Sequence, residues 1–153
     1  ENGDSADVCL VLDCQIDDQT PEQLGALSGR LLAAGALDVF MTPVFMKKQR
    51  PGVRLTVLAR PEEGERFRDL LFRESTTLGI RERLEVRSVL PRRIETVTTP
   101  YGDVRIKLGF WKGEIVNASP EFADCEALAR KSGVPVKEIM AAALTIYRTR
   151  SAP

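Results

Sequence analysis

The chain contains no histidine. That absence removes the commonest general base, every Ser-His triad and the usual imidazole metal ligand, so a metal bound here must sit on oxygen or sulfur. Cysteine is scarce as well. Cys9, Cys14 and Cys125 cannot all pair with one another, and no C-x-x-C spacing supports a zinc site or dithiol chemistry. Free, mostly buried thiols are the simplest reading. No apolar run approaches the roughly 20 residues that cross a bilayer, and the opening stretch ENGDSADV has neither a charged n-region nor an apolar h-region. An excess of one charge is also missing: 22 Lys plus Arg balance 22 Asp plus Glu, which lacks the basic surplus of a general nucleic-acid binder. These absences predict a soluble cytoplasmic protein with no membrane and no nucleic-acid partner. There is no initiating Met, and the abrupt polar start reads as a domain of a longer protein.

What is present suffices for a core. With 153 residues, 43% hydrophobic and 29% charged, a compact domain buries about 70% of its unfolded surface. Val8 to Leu12 are apolar on both alternating faces, as in a central strand covered on two sides. Thr20, Pro21 and Gln23 spell a capping box, after which Leu24, Leu27 and Leu31 share a helix face that should end near Gly35. Leu37 to Met46 reads as a strand, and Pro43 assigns it to a sheet edge. The turn KKQRPG leads to a hairpin partner at Val53 to Ala59. A second helix begins near Pro61, aligns Phe67, Leu70 and Leu71, and ends at STTLG. In the strand Ile80 to Val89, Leu84 and Val86 are expected to face inward, with Arg83, Glu85 and Arg87 outward as on an exposed edge.

The order β-α-β-β-α-β predicts an α+β fold, a ferredoxin-like sandwich over 8–90 with the first and third strands central. Residues 91–150 add an appendage packed on that unit: a β-hairpin about Pro100 to Asp103, a short strand Glu114 to Asn117, and two C-terminal helices. The first of those helices opens at Ser119-Pro120-Glu121 and closes at Gly133, and Pro135 starts the second.

Two loops carry candidate chemistry. In MKKQRPG, Lys47, Lys48 and Arg50 crowd a turn beside Gly52, which lets backbone approach a ligand such as a polyphosphate. No Walker A frame is present, and such a turn taken alone is more simply a solvated charge cluster. In RESTTLGIR, the hydroxyls of Ser75, Thr76 and Thr77 lie beside Gly79 and Arg81, an inventory suited to phosphate, although a plain helix terminus and turn explain the stretch as well. Asp17 and Asp18 follow the first strand and suit a hard cation that escorts phosphate, with simple helix-dipole complementarity the equal alternative. Glu121 and Asp124 lie one helical turn apart, and Glu121 reads as structural; Trp111 and Tyr101 read as packing groups that are also able to stack on a base.

Taken together, the segments QIDDQTPEQLG, LLAAGALDVFMTPVFMKKQRPG, LLFRESTTLGIR, TPYGDVRIK and ASPEFADCEALA resemble the C-terminal domain of the nickel-insertion proteins that complete the nickel-pincer nucleotide cofactor. The resemblance spans roughly Cys9 to Tyr147. It implies a cyclometallase, a lyase that uses CTP and a divalent cation, Mg or Mn, to place nickel into pyridinium-3,5-bisthiocarboxylic acid mononucleotide while CTP is cleaved to CMP and pyrophosphate. Lys47, Lys48, Arg50, Ser75, Thr76, Thr77 and Arg81 then become the expected triphosphate cradle, with Asp17 and Asp18 near the cation. The family usually has Asn where Gln49 stands and often Thr where Ser75 stands, changes that keep a polar side chain. Nickel handling is expected in an N-terminal domain of the full-length protein, leaving this piece as the nucleotide-binding part of a homo-oligomer, trimeric or hexameric. A reading from another class is a non-catalytic ferredoxin-like module for ligand sensing or oligomerisation, since the fold hosts both kinds of function.

Overall fold

Residues 7–150 are described by the computed structural model. They divide into one unit that ends at Val89 and another that begins at Leu90.

In the first unit, β1 (Asp7–Ile16) is buried on both faces from Cys9 to Cys14, as its double-sided apolar pattern predicts. It pairs antiparallel with β3 (Pro51–Ala59) on one side and β4 (Arg81–Arg87) on the other, while β2 (Asp38–Phe45) adds beyond β3, giving the order β2-β3-β1-β4. Pro43 therefore lies on an edge strand, where its missing N–H breaks no inner ladder. Helix α1 (Pro21–Ala33) starts in the expected capping box: Thr20 Oγ1 accepts from the Gln23 amide, and the Thr20 amide donates to Gln23 Oε1 at 2.9 Å. Helix α2 (Gly64–Glu74) starts later than the sequence reading has it, because Pro61–Glu63 form one 3-10 turn first. Leu24, Leu27 and Leu31 of α1 and Phe67 and Leu71 of α2 pack on Leu10, Leu12, Cys14, Leu55 and Val57 to make the core.

Strand β4 departs from expectation. Leu84 lies opposite Leu10 and so shares the helix-covered face, yet it is 64% exposed and Val86 is 73% exposed. Helix α2 sits over β1, where a Cβ on Gly64 would come within 2.6 Å of Leu10 Cδ2, and its cover stops short of the outer strand. On the other face Arg83 is more than a solvated charge. Its Nη1 donates at 2.5 Å to Asp13, a buried carboxylate that also accepts from the Thr56 hydroxyl. Burial alone raises the pKa of Asp13, but the Thr56 hydrogen bond and the Arg83 and Arg54 charges outweigh it and hold the carboxyl below its ordinary range.

The second unit has its own core. Strands β5 (Arg92–Thr99), β6 (Gly102–Trp111) and β7 (Glu114–Pro120) form a meander about the expected hairpin turn. Val97, Val104, Ile106 and Leu108 pack against Cys125 of α3 (Phe122–Ser132) and Ile139, Ala143 and Tyr147 of α4 (Val136–Arg150). Ser119 and Pro120 belong to β7 and do not open α3. Glu121 occupies the cap position without capping through its side chain, because its carboxylate pairs with Lys107 Nζ at 2.8 Å.

Candidate functional site

The antiparallel pairing brings three loops of the first unit to one end of its sheet. The end of β1 (Ile16) lies opposite the start of β3 (Val53), and Asp13 lies opposite Arg81 at the start of β4. The β1–α1 loop, the β2–β3 turn and the α2–β4 loop therefore converge beside the last residues of β1.

Each loop is held by its own local chemistry. The β2–β3 turn is closed by the Met46 amide donating to the Arg50 carbonyl at 2.8 Å. Within it Lys48 (φ 61°) and Gln49 (φ 58°) both adopt left-handed backbone, which carries about 1–2 kcal/mol of strain per residue in a side chain with a Cβ. Gly52 serves a purpose other than the expected approach to a ligand. A Cβ there would stand 2.8 Å from the Ile16 carbonyl oxygen and 2.6 Å from Met46 Sδ, so the glycine lets the hairpin close onto β1. In the α2–β4 loop Ser75 Oγ donates to the Leu71 carbonyl at 2.6 Å and accepts from the Thr77 amide at 3.2 Å. Thr77 Oγ1 donates to the Gly79 carbonyl at 2.9 Å.

The acidic pair is divided between the loops. Asp17 Oδ2 lies 3.6 Å from Arg50 Nη1, whereas Asp18 accepts from the Thr76 hydroxyl. Gln19 completes the tie by accepting from the Thr76 amide and donating to the Glu74 carbonyl, both at 3.3 Å. The Asp18 and Gln19 contacts link the β1–α1 loop to the α2–β4 loop, and the Asp17–Arg50 pair links it to the β2–β3 turn.

Between the β2–β3 turn and the α2–β4 loop, beside Cys14 and Gln15 of β1, lies a cleft of about 550 Å³. Of the residues singled out in sequence, Lys47, Thr77 and Arg81 line it. Lys48, Arg50, Ser75, Thr76, Asp17 and Asp18 lie on the same three loops but do not line it. Ser75 is engaged with Leu71 and Thr77, and Thr76 with Asp18, so both hydroxyls hold the loops in place. Lys47 and Arg81 have no ion-pair partner among the described residues. Cys14, Gln15, Phe45 and Leu78 also line the cleft and were not identified from sequence as site residues. Cys14 was readable only as a buried thiol, and it is one: burial pushes its pKa up to about 11, with the Thr77 hydrogen bond acting in the opposite sense. The thiol is therefore protonated at neutral pH and is not a ready nucleophile.

Among the described residues, no group of three or more His, Cys, Asp or Glu side chains is placed to hold a metal ion. A phosphate-escorting cation makes a weaker demand, one or two carboxylates with phosphate and water completing its shell; Asp17 and Asp18 are carboxylates on these loops, engaged with Arg50 and Thr76, and neither lines the cleft. In the second unit Asp124 receives two hydrogen bonds from the Arg105 guanidinium, at 2.8 and 2.9 Å, and Glu121 pairs with Lys107, so both carboxylates are engaged within the fold. Trp111 has the Lys112 ammonium over its ring at 5.9 Å, and Tyr101 packs against the second core.

The family model described as nickel insertion protein matches residues 1–140. A protein of Lactiplantibacillus plantarum named pyridinium-3,5-bisthiocarboxylic acid mononucleotide nickel insertion protein is 41% identical over 92% of this chain and 33% of its own length. A protein of Synechococcus sp. (strain JA-3-3Ab), named only as a nickel insertion protein, is 49% identical over 94% of this chain and 36% of its own length. The chain thus spans about a third of the length of the curated relatives it matches. Among solved structures, LarC2, the C-terminal domain of a cyclometallase involved in the synthesis of the NPN cofactor of lactate racemase, superposes with a TM-score of 0.91 at 40% identity, covering 94% of this chain and 99% of that one. A protein from Methanopyrus kandleri AV19 shares the fold at a TM-score of 0.69 and 24% identity, covering 95% of this chain and 92% of that one.

Proposed function

The chain belongs to the nickel insertion protein family, and from that premise we propose that it is the CTP-binding and divalent-cation-binding part of a cyclometallase. The whole enzyme inserts nickel into pyridinium-3,5-bisthiocarboxylic acid mononucleotide and cleaves CTP to CMP and pyrophosphate. One observation carries the nucleotide reading: Lys47 from the β2–β3 turn and Thr77 and Arg81 from a segment remote from it in sequence line one cleft, and both cations lack a carboxylate partner among the described residues.

A triphosphate presents several negative charges to that cleft. Lys47 and Arg81 supply charge-assisted hydrogen bonds, and the Thr77 hydroxyl supplies one more by turning from the Gly79 carbonyl. Arg50 is exposed and only loosely paired with Asp17 at 3.6 Å, a contact of the kind that contributes little to stability. It can exchange that carboxylate for a phosphate oxygen and leave Asp17, with Asp18 beside it, to meet Mg²⁺ or Mn²⁺ between phosphates. Lys48, on the same turn as Lys47, adds positive potential, while Ser75 and Thr76 keep the α2–β4 loop in shape. Nickel is substrate, and its ligands belong to the protein's own N-terminal domain. The protein works in the cytoplasm as a closed homo-oligomer, a trimer or hexamer, and the exposed Leu84 and Val86 on the outer strand β4 favour such assembly.

Calorimetry with CTP, ATP and GTP, each with Mg²⁺ or Mn²⁺, tests the reading. CTP is expected to bind at least about tenfold more tightly than the purine nucleotides. Absence of any nucleotide binding would refute it in favour of a non-catalytic interaction module.

A further inference from the structure

Two cleft residues have no part in holding phosphate. Leu78, in the α2–β4 loop, is 100% exposed, and Phe45, the last residue of β2, is 80% exposed. A single exposed leucine needs no explanation. These two differ because both line the same cleft as Lys47 and Arg81, and because they arrive from opposite sides of β1: Phe45 from the β2–β3 hairpin, Leu78 from the loop entering β4. The loops that carry them are pinned, by the Met46–Arg50 closure on one side and the Ser75–Thr77–Gly79 hydrogen bonds on the other. Their exposure is thus a consequence of ordered backbone. An aromatic face and a branched aliphatic side chain standing in water beside two cations without ion pairs among the described residues fit a ligand with a flat, weakly polar ring at one end and negative charge at the other. A phosphorylated nucleoside has that form.

We propose that Phe45 and Leu78 are the base-contacting residues of this cleft, covering the nucleobase of the bound nucleotide while Lys47 and Arg81 hold its phosphates. The assignment rests on the nucleotide reading above and adds the groups that distinguish a nucleoside triphosphate from bare polyphosphate. Stacking on Phe45 is indifferent to which base is present, because every base offers a π-face. These two residues therefore supply affinity, and the choice of cytosine lies with the polar groups of the cleft.

The test is calorimetry on the purified chain with two probes, CTP and inorganic tripolyphosphate, each with Mg²⁺. The variants are Phe45→Ala, Leu78→Ala and the two combined, and thermal unfolding checks that each is folded. Loss of base contact should weaken CTP by about tenfold or more in the double variant, within the range known for single base–aromatic stacks, and leave tripolyphosphate binding unchanged. Phe45→Tyr, which keeps the ring, should retain CTP affinity. If the parent chain binds CTP and the double variant binds it equally well, the base-contact proposal is overturned and the nucleotide reading stands. A parent that binds tripolyphosphate as tightly as CTP overturns it in the same way. A parent that binds neither probe removes the nucleotide reading itself. If the double variant keeps its CTP affinity but changes its mass by light scattering, Phe45 and Leu78 contact another copy of the chain and the proposal fails.

Discussion

The two units each lay a pair of helices on an antiparallel sheet, yet they dispose of charge in different ways. In the second unit the cations of β6 are locked: Arg105 grips Asp124 through two hydrogen bonds and Lys107 holds Glu121 at 2.8 Å. In the first unit, the end of the sheet gathers Lys47, Lys48 and Arg81, none of them ion-paired among the described residues, with only a loose 3.6 Å contact between Arg50 and Asp17. Their turns differ too. The β6–β7 turn gives one of its two left-handed positions to Gly113, whereas the β2–β3 turn fills both with Lys48 and Gln49. Paired charge and a glycine turn serve the fold. Lys112 in the second unit is also left-handed and without an ion pair, so the difference is one of degree: two strained positions and three unpaired cations among the described residues gather at the end of the first sheet, which supports the ligand site proposed above.

The comparison is broken most severely through the cores. Phe67→Ala in the first unit should destabilise by about 3–5 kcal/mol and Ile139→Ala in the second by about 2–5 kcal/mol, both positions being fully buried. Urea unfolding measures both. At temperatures where each variant is still folded by circular dichroism, Ile139→Ala should keep its CTP affinity. Its loss would show that the first unit does not hold the nucleotide site by itself.

A smaller but sharper contrast lies in the cations. Lys47→Ala combined with Arg81→Ala removes two charge-assisted bonds, each contributing about 1.5–3 kcal/mol, so CTP should bind at least about a hundredfold more weakly. Arg105→Ala, in the paired network, should leave that affinity unchanged. Equal losses in the two variants, measured by titration at fixed salt, would mean that a general positive field attracts the nucleotide.

How much of this was legible beforehand depends on the range of the interaction. The capping box at Thr20 and Gln23, the edge position of Pro43 and the central place of β1 follow from local pattern, because each expresses a preference of neighbouring residues. Lys47, Thr77 and Arg81 were identifiable as phosphate-binding types, but that they share a cleft follows from strand pairing. Three features were out of reach. Gly52 is needed because Ile16 approaches it, Arg83 because Asp13 is buried beneath it, and Phe45 and Leu78 meet one cleft from either side of β1. All three are contacts between segments remote in sequence, on which alternation and capping rules are silent.

Acid should affect both units. Asp13, despite the burial that opposes it, is held below its ordinary pKa by Thr56 and Arg83, and Asp124 is held below its own chiefly by the Arg105 hydrogen bond. A carboxyl whose folded pKa is depressed contributes stability above its unfolded value, near 3.8, and loses that contribution as pH falls through the folded value. The urea midpoint should therefore fall between pH 5 and pH 2, the range that brackets the 3.8 value. Asp13→Asn and Asp124→Asn should each flatten part of the decline. A midpoint independent of pH in that range would show that neither pair is formed in solution.

The finest test concerns the strained turn. Gln49→Gly removes one left-handed side chain from the β2–β3 turn, relieving about 1–2 kcal/mol of strain, while glycine's greater freedom in the unfolded chain returns about 0.5–1 kcal/mol. The net gain should be at most about 1.5 kcal/mol, visible as a rise of a few degrees in Tm. If strain is retained because it fixes Lys47 at the cleft, the same variant should bind CTP less tightly even though it is more stable. The opposite substitution in the second unit, Gly113→Gln, should lower stability by a similar amount without touching CTP affinity, since its turn carries no ligand. A Gln49→Gly chain that is less stable than the parent would show instead that the glutamine side chain holds the turn, and the contrast between the two turns would lose its meaning.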